Sequence, residues 1–229
     1  MILTKNDIEN IAVNVLIDFR NTTGINEIFT AIDQLATDYL GLEIAFEKLA
    51  DDDNFCGLTA YEDTYLKLDV GGLEKVVKIR KNQIVLDRSF IEIGRVRELC
   101  GKRRFTLAHE VAHQILYSME NDEDKKKYAK AYSMREAHTP RELKTFEDWN
   151  EWQANYLGAA LLMPKTSIDH IMNAIRCRKT TYKKGSYEDI QHLVDVCVDI
   201  FHVSRSAALI RLKNLGYVAE RNTKGVVYA

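Results

Sequence analysis

Proline is nearly missing from the sequence. Only Pro140 and Pro164 occur in 229 residues, where average usage of about 5% would give roughly eleven. A proline-rich linker, a collagenous segment and a mucin-like stalk are excluded. Cysteine is sparse as well. Cys56, Cys100, Cys177 and Cys197 stand far apart with no Cys-x-x-Cys spacing, which fits neither a zinc ribbon nor a dense disulfide scaffold. The longest apolar run, Tyr156 to Met163, is eight residues, too short to span a bilayer. The opening Met1-Ile2-Leu3-Thr4-Lys5-Asn6-Asp7 lacks the apolar stretch of a signal peptide. The expectation is a reduced, soluble, cytoplasmic chain with no membrane partner.

Neither sign of charge dominates, with 32 basic and 34 acidic side chains. A strongly basic chain that coats nucleic acid is not expected, while a basic C-terminal face stays open. The balance hides a gradient: residues 1–101 hold 11 basic against 18 acidic groups, residues 102–164 hold 10 of each, and residues 165–229 hold 11 against 6. Hydrophobic residues at 46% and charged residues at 29% belong to an ordinary globular protein of one or two domains.

Thr4-x-x-Asp7 reads as a helix start, and Ile8, Ile11, Ala12, Val15, Leu16 and Phe19 follow at helical spacing up to Gly24. A second helix is expected from about Asn26 to Leu40, closed by Gly41. Leu42–Asp87 then alternates apolar and polar residues, with turns at Gly71-Gly72 and Lys81-Asn82, and reads as a small, mainly antiparallel sheet. Helices are expected over Phe105–Met119, Asp148–Met163, Ser186–Phe201 and Ser204–Leu215. The charged run Asn121–Lys130 reads as a solvated connection. Asp51-Asp52-Asp53 reads as a solvated turn, because it lacks the glycine and bidentate glutamate of a calcium loop. Trp149 and Trp152 read as core packing. The fold class is α+β. Residues 1–165 form the main domain, and residues 166–229 form a helical, helix-turn-helix-like subdomain packed on it.

His109-Glu110-Val111-Ala112-His113 is the informative string. Residues four apart on a helix lie one above the other, so both imidazoles reach one metal ion. Ala108, Val111, Ala112, Ile115 and Met119 make the apolar stripe, the two histidines sit at its edge, and Glu110 is expected further round, toward solvent. A catalytic zinc takes three protein ligands. Met119 and Leu116 stand where a metzincin needs histidine and glycine, so that class is excluded. The third ligand is expected from a later helix. Glu151, Ala154, Asn155 and Gly158 share a small-residue face there, opposite Trp149, Trp152, Tyr156, Ala159 and Met163. Such a face allows close helix approach and presents the Glu151 carboxylate, with Asn155 one turn on to orient a ligand.

Arg103 to His113, then Glu151-x-x-Ala154-Asn155 and Leu161-Leu162-Met163-Pro164, resemble the ImmA/IrrE family of bacterial metallopeptidases. The resemblance extends to the helices and sheet before the motif and to Val203–Leu209 after it. Ala112 stands where the family often has glycine. The resemblance implies a zincin-like fold and a gluzincin-like centre, with one zinc ion on His109, His113 and Glu151 and with Glu110 as general base. It also implies a protein substrate: a helix-turn-helix repressor encoded nearby, whose cleavage relieves repression. An edge strand can align a peptide by β-addition, with Leu66–Val70 and Ile84–Leu86 as candidates. Tyr117, His138 and His170 are open candidates for an extra oxyanion donor.

A second reading is a DNA-binding regulator with a structural or sensory metal. Phe201–Leu212 resembles a helix-turn-helix corner, and Lys183, Lys184, Arg205, Arg211 and Lys213 would contact phosphates. A third is a metal-bound scaffold without turnover.

Overall fold

The computed structural model describes residues 1–49, 56–125, 146–178 and 187–218. Pro140, Asp51–Asp53, His138, Lys183, Lys184 and the end of the charged run lie outside these residues. Helix α1 (Lys5–Thr23) starts at the expected capping box. The Asp7 amide donates to Thr4 Oγ1 at 3.2 Å, and the Thr4 amide donates to Asp7 Oδ2 at 2.9 Å. The helix ends at Gly24, whose φ of 73° is the left-handed conformation a side chain resists. Ile8, Ala12, Leu16 and Phe19 form its buried stripe.

The second helix begins later than its periodicity suggests. Helix α2 (Ile32–Gln34) runs on as a π-helical turn over Leu35–Tyr39, and Asn26–Ala31 are not helical. Thr30 is the reason. Its hydroxyl donates to the Leu161 carbonyl at 2.6 Å, while its own carbonyl accepts from Arg104 Nη2 at 2.9 Å. A backbone committed to those partners does not enter a helix.

The sheet region separates into two layers. Strands β1 (Glu43–Glu47), β2 (Gly57–Ala60) and β5 (Gln83–Asp87) form a sheet in the order β1-β5-β2. Strands β3 (Thr64–Val70) and β4 (Leu73–Ile79) form a separate hairpin. Gly71 and Gly72, with φ of 62° and 76°, make the two-residue turn that matches strand twist. The β2–β5 and β3–β4 pairs are antiparallel, whereas β1 pairs with β5 in parallel. Local alternation cannot show that direction, because it is set by chain returning from a distance. On β5, Ile84 and Leu86 face the main helical core, and Val85 faces the hairpin with Leu58, Leu68 and Ile79.

Helix α3 (Val96–Met119) packs on the helical side of β5, followed by the short α4 (Asp122–Lys125). Helices α5 (Phe146–Leu162), α6 (Lys165–Arg178), α7 (Tyr187–Phe201) and α8 (Arg205–Asn214) complete the described chain. Helix α6 is absent from the sequence reading. Pro164 both stops α5 and accepts the first α6 hydrogen bond, from the Ile168 amide at 3.1 Å. No helix among the described residues is long and apolar enough to cross a membrane.

Two buried polar ties hold the layers. Asp87 caps the turn after β5, accepting from the Ser89 amide at 2.9 Å and from the Leu49 amide at 2.8 Å. Burial pushes its carboxyl up, but those donors outweigh burial and hold it below the ordinary value. Arg211 of α8, with no exposed surface, clasps Glu9 of α1 through two bonds of 2.6 and 2.9 Å and donates Nε–H to the Met163 carbonyl at 3.0 Å.

Asp87→Asn is expected to cost about 1–3 kcal/mol at pH 7, because it leaves a buried donor unsatisfied. A lowered native pKa stabilises above the unfolded value of about 3.9 and stops doing so as pH falls through the native one. The gap between Asp87→Asn and the parent in urea unfolding should therefore shrink below about pH 4. Glu9→Gln leaves the Arg211 charge buried and alone, at about 3–5 kcal/mol. Glu9→Leu combined with Arg211→Met should cost less than Glu9→Gln by the same unfolding assay.

Candidate metal centre

Both histidines sit on α3, an uninterrupted helix of 24 residues that carries them one turn apart on one side. Their Nε2 atoms lie 3.1 Å from each other, with the rings nearly perpendicular at 88°. Glu151 comes from α5. Its Oε1 is 3.1 Å from His113 Nε2 and its Oε2 is 3.4 Å from His109 Nε2. His109, His113 and Glu151 are thus brought together, with ligand atoms all within 4.8 Å of one another.

The approach of α5 depends on Gly158. A Cβ there would lie 3.0 Å from the Ala108 carbonyl oxygen and 3.1 Å from the His109 nitrogen, so backbone packs on backbone. Contacts of Glu151 with His113, and of Gly158 with Ala108, show that the two helices run in opposite senses. Trp149 and Trp152 stack on the opposite face of α5 at 4.9 Å, and Trp152 packs beside Tyr156 at 5.5 Å.

The donor set fits a metal. Both Glu151 oxygens are buried and meet no geometric hydrogen bond among the described residues, although each lies close to an imidazole nitrogen. Burial raises the Glu151 carboxyl, but the adjoining His109 and His113 outweigh it and hold it at about 2. A tetrahedral ion with ligand bonds of about 2.0–2.1 Å separates its donors by about 3.3 Å. The distances of 3.1, 3.1 and 3.4 Å between these donors bracket that separation.

Glu110 requires a correction. It is buried, with only 1% of its surface exposed, rather than turned toward solvent. Strand β2 covers that side of α3: a Cβ on Gly57 would lie 2.5 Å from Thr106 Cγ2 and 3.2 Å from Glu110 Oε1. One turn further, Gln114 Nε2 donates to Thr59 Oγ1 at 2.5 Å and to the Ala60 carbonyl at 3.1 Å. Sequence reasoning missed Gly57, Gln114 and Thr30. The spacing of four from Thr106 through Glu110 to Gln114 was the available signal for a second contact face on α3.

The other expectations divide. Asn155 stands one turn beyond Glu151, where its amide nitrogen is buried and donates to no partner among the described residues. Tyr117 stacks on Tyr61 at 4.2 Å, and His170 is exposed on α6. Ile84–Leu86 has no free edge, because β5 is paired on both sides; Leu66–Val70 pairs with β4. Arg211 is committed to Glu9, and Arg205 to Asp195 and Gln191. The DNA-contact reading loses both.

Residues 100–213 match the IrrE N-terminal-like domain of peptidase family M78. The chain belongs to the ImmA/IrrE family of metallopeptidases. The match takes in nearly all of α3 and the helices after it to Lys213, and so spans the whole donor set. Comparison with curated proteins finds no match. As a metallopeptidase of this family the chain is metal-dependent and acts on a protein substrate.

Gly158→Val is the test of the helix contact. Overpacking at backbone distance should cost about 1–3 kcal/mol or more. It should also weaken the binding of a divalent metal, measured by competition against a chromophoric chelator, since Glu151 is carried away from the histidines.

Proposed function

We propose that the chain is a zinc endopeptidase in which His109, His113 and Glu151 hold the ion and Glu110 is the general base. The observation that carries this reading is the convergence of two imidazole nitrogens and a carboxylate within 3.1–3.4 Å. In this reading residues 1–165 are the catalytic unit, and the C-terminal helices α6 to α8 are packed on it.

A zinc ion at this position supplies Lewis acidity, which polarises a peptide carbonyl and acidifies water. The chain's own residues do the rest. His109 and His113 offer Nε2 as neutral donors, and Glu151 brings the negative charge that offsets the cation. Glu110, held against β2, is a separate carboxylate beside the ligands. It takes a proton from the attacking water and returns it to the leaving amine nitrogen. The peptide bond breaks as the water oxygen bonds to the carbonyl carbon, leaving a carboxylate and an amine.

The substrate we propose is a helix-turn-helix repressor encoded nearby, whose cleavage relieves repression. The family resemblance supports that partner. Action in the cytoplasm is supported by the sparse, widely spaced cysteines, a usage that suits a reducing compartment.

The experiment separates binding from turnover. His109→Ala should lose zinc in metal analysis of the purified chain. Glu110→Gln should keep zinc yet cut the neighbouring repressor at least 100-fold more slowly, within the range of general-base contributions. Equal zinc in His109→Ala and the parent, or undiminished cleavage by Glu110→Gln, would defeat the assignment.

A further inference from the structure

Strand β2 runs alongside α3 in the same sense. Gly57 lies against Thr106 and Glu110, and Thr59 and Ala60 lie against Gln114. From Gly57 to Ala60 the strand advances about 10 Å. From Thr106 and Glu110 to Gln114 the helix advances about 6–12 Å, so strand and helix stay in step. The side of α3 away from α5 is therefore faced by one strand, and Glu110 lies in the middle of that contact.

Neither partner in the contact gives way easily. On the strand side, Leu58 and Thr59 pair with Val85 and Ile84 of β5, and the Cys56 carbonyl accepts from the Asp87 amide at 2.9 Å. Gln114 ties the far end of β2 to the helix. On the helix side, Thr106 is fully buried, and its Oγ1 donates to the Lys102 carbonyl at 2.8 Å. That bond fixes the rotamer and leaves Cγ2 facing Gly57. A Cβ on Gly57 would stand 2.5 Å from Thr106 Cγ2, 3.2 Å from Glu110 Oε1 and 3.3 Å from Leu86 Cδ2. Rotating Thr106 gives up its hydrogen bond, and retreat of the strand gives up those of Gln114. The φ of Gly57 lies outside the left-handed region, so space rather than backbone conformation requires glycine here.

We propose that Gly57 is a positioning residue for the reaction: lacking a side chain, it lets β2 set the Glu110 carboxylate in place beside the metal donors. In this arrangement β2 governs turnover, whereas the contact of α3 with α5 governs metal binding. The proposal rests on the reading of Glu110 as general base, and its test is separable from that reading. A reacting group misplaced by about 1 Å loses about 100-fold in rate, so a displacement of part of that distance is readable in kcat.

Three full-length variants are loaded with zinc: Gly57→Ala, Gly57→Ala with Thr106→Ser, and Thr106→Ser alone. Serine keeps the bond to the Lys102 carbonyl and removes the methyl group, so the double variant retains the contact with Glu110 without the clash at Thr106. Zinc content, thermal melts and crystal structures are compared with kcat and KM for cleavage of the neighbouring repressor. Gly57→Ala should melt lower than the parent, and the double variant should regain the loss. In both, the Glu110 carboxylate should move by about 0.5 Å, the tolerance of a catalytic group, and kcat should fall at least about five-fold. Zinc content and KM should stay unchanged, and Thr106→Ser alone should match the parent throughout.

Recovery of kcat together with the melting temperature in the double variant, an unmoved carboxylate, or loss of zinc alongside kcat overturns the proposal and leaves Gly57 a packing residue. Displacement of Glu110 in the crystal needs no substrate and reports the strand contact. Cleavage by Glu110→Gln reports the base, so the two readings fail separately.

Discussion

The close approach of α3 and α5 at Gly158 is the constraint on which the metal centre depends. A side chain at that position would meet the Ala108 carbonyl and the His109 nitrogen, so only glycine allows the two backbones to touch. From that contact the antiparallel run of the helices sets the rest in order. Toward one end, Glu151 falls against His113 and His109. Toward the other, Thr30 joins Leu161 of α5 to Arg104 of α3. The helices are thus fixed at three levels, and the donor set lies at the level farthest from the Thr30 clip. A shift of either helix by a fraction of an ångström is passed directly to the distances between metal donors.

Charge placement follows from the same packing. Glu110, Arg104 and Arg211 are all buried, and each charge taken from water needs compensation. Arg211 finds it in Glu9 and a helix-ending carbonyl. Arg104 has the Thr30 carbonyl and the face of the Phe29 ring at 5.4 Å. Glu151 differs from both: its oxygens approach two imidazoles but meet no geometric hydrogen bond among the described residues. The two imidazoles hold that carboxylate ionised in spite of its burial, and a cation bound between the three groups would tie the folding of this region to metal binding.

What was legible in the sequence was what depends on short range. The capping box at Thr4 and Asp7, the diglycine turn and the helical stripes of α1, α3 and α5 can each be read within a dozen residues. So could the pairing of His109 with His113, since helical spacing alone decides it. The small face around Glu151 was also readable, because Gly158 and Ala154 have no other evident use on an apolar helix. The failures lie where distant chain intervenes. Helix α2 loses its first turn to contacts made by Thr30 with α3 and α5. Glu110 was expected in solvent because a helix wheel contains no β2. The parallel direction of β1 and β5 belongs to chain return and leaves no mark on alternation. Helix α6 was missed because its polar composition hides that Pro164 serves as a start as well as a stop.

The C-terminal helices show how similar sequence can serve a different end. The corner between α7 and α8 has the features of a helix-turn-helix: a left-handed His202 with φ of 54° and a Ser204 cap on the Ala207 amide. In a DNA-binding domain the cationic side chains of the following helix remain free for phosphates. Here Arg211 turns inward to Glu9 and Met163, and Arg205 is paired along the surface with Asp195 and Gln191. The corner itself packs against α3, where a Cβ on Gly101 would stand 2.9 Å from the Ser204 nitrogen and 3.1 Å from the Val203 carbonyl carbon. The turn motif specifies only the angle between two helices. The destination of its arginines decides what that angle is for, and in this chain it braces the start of the helix that carries His109 and His113 and the end of its partner.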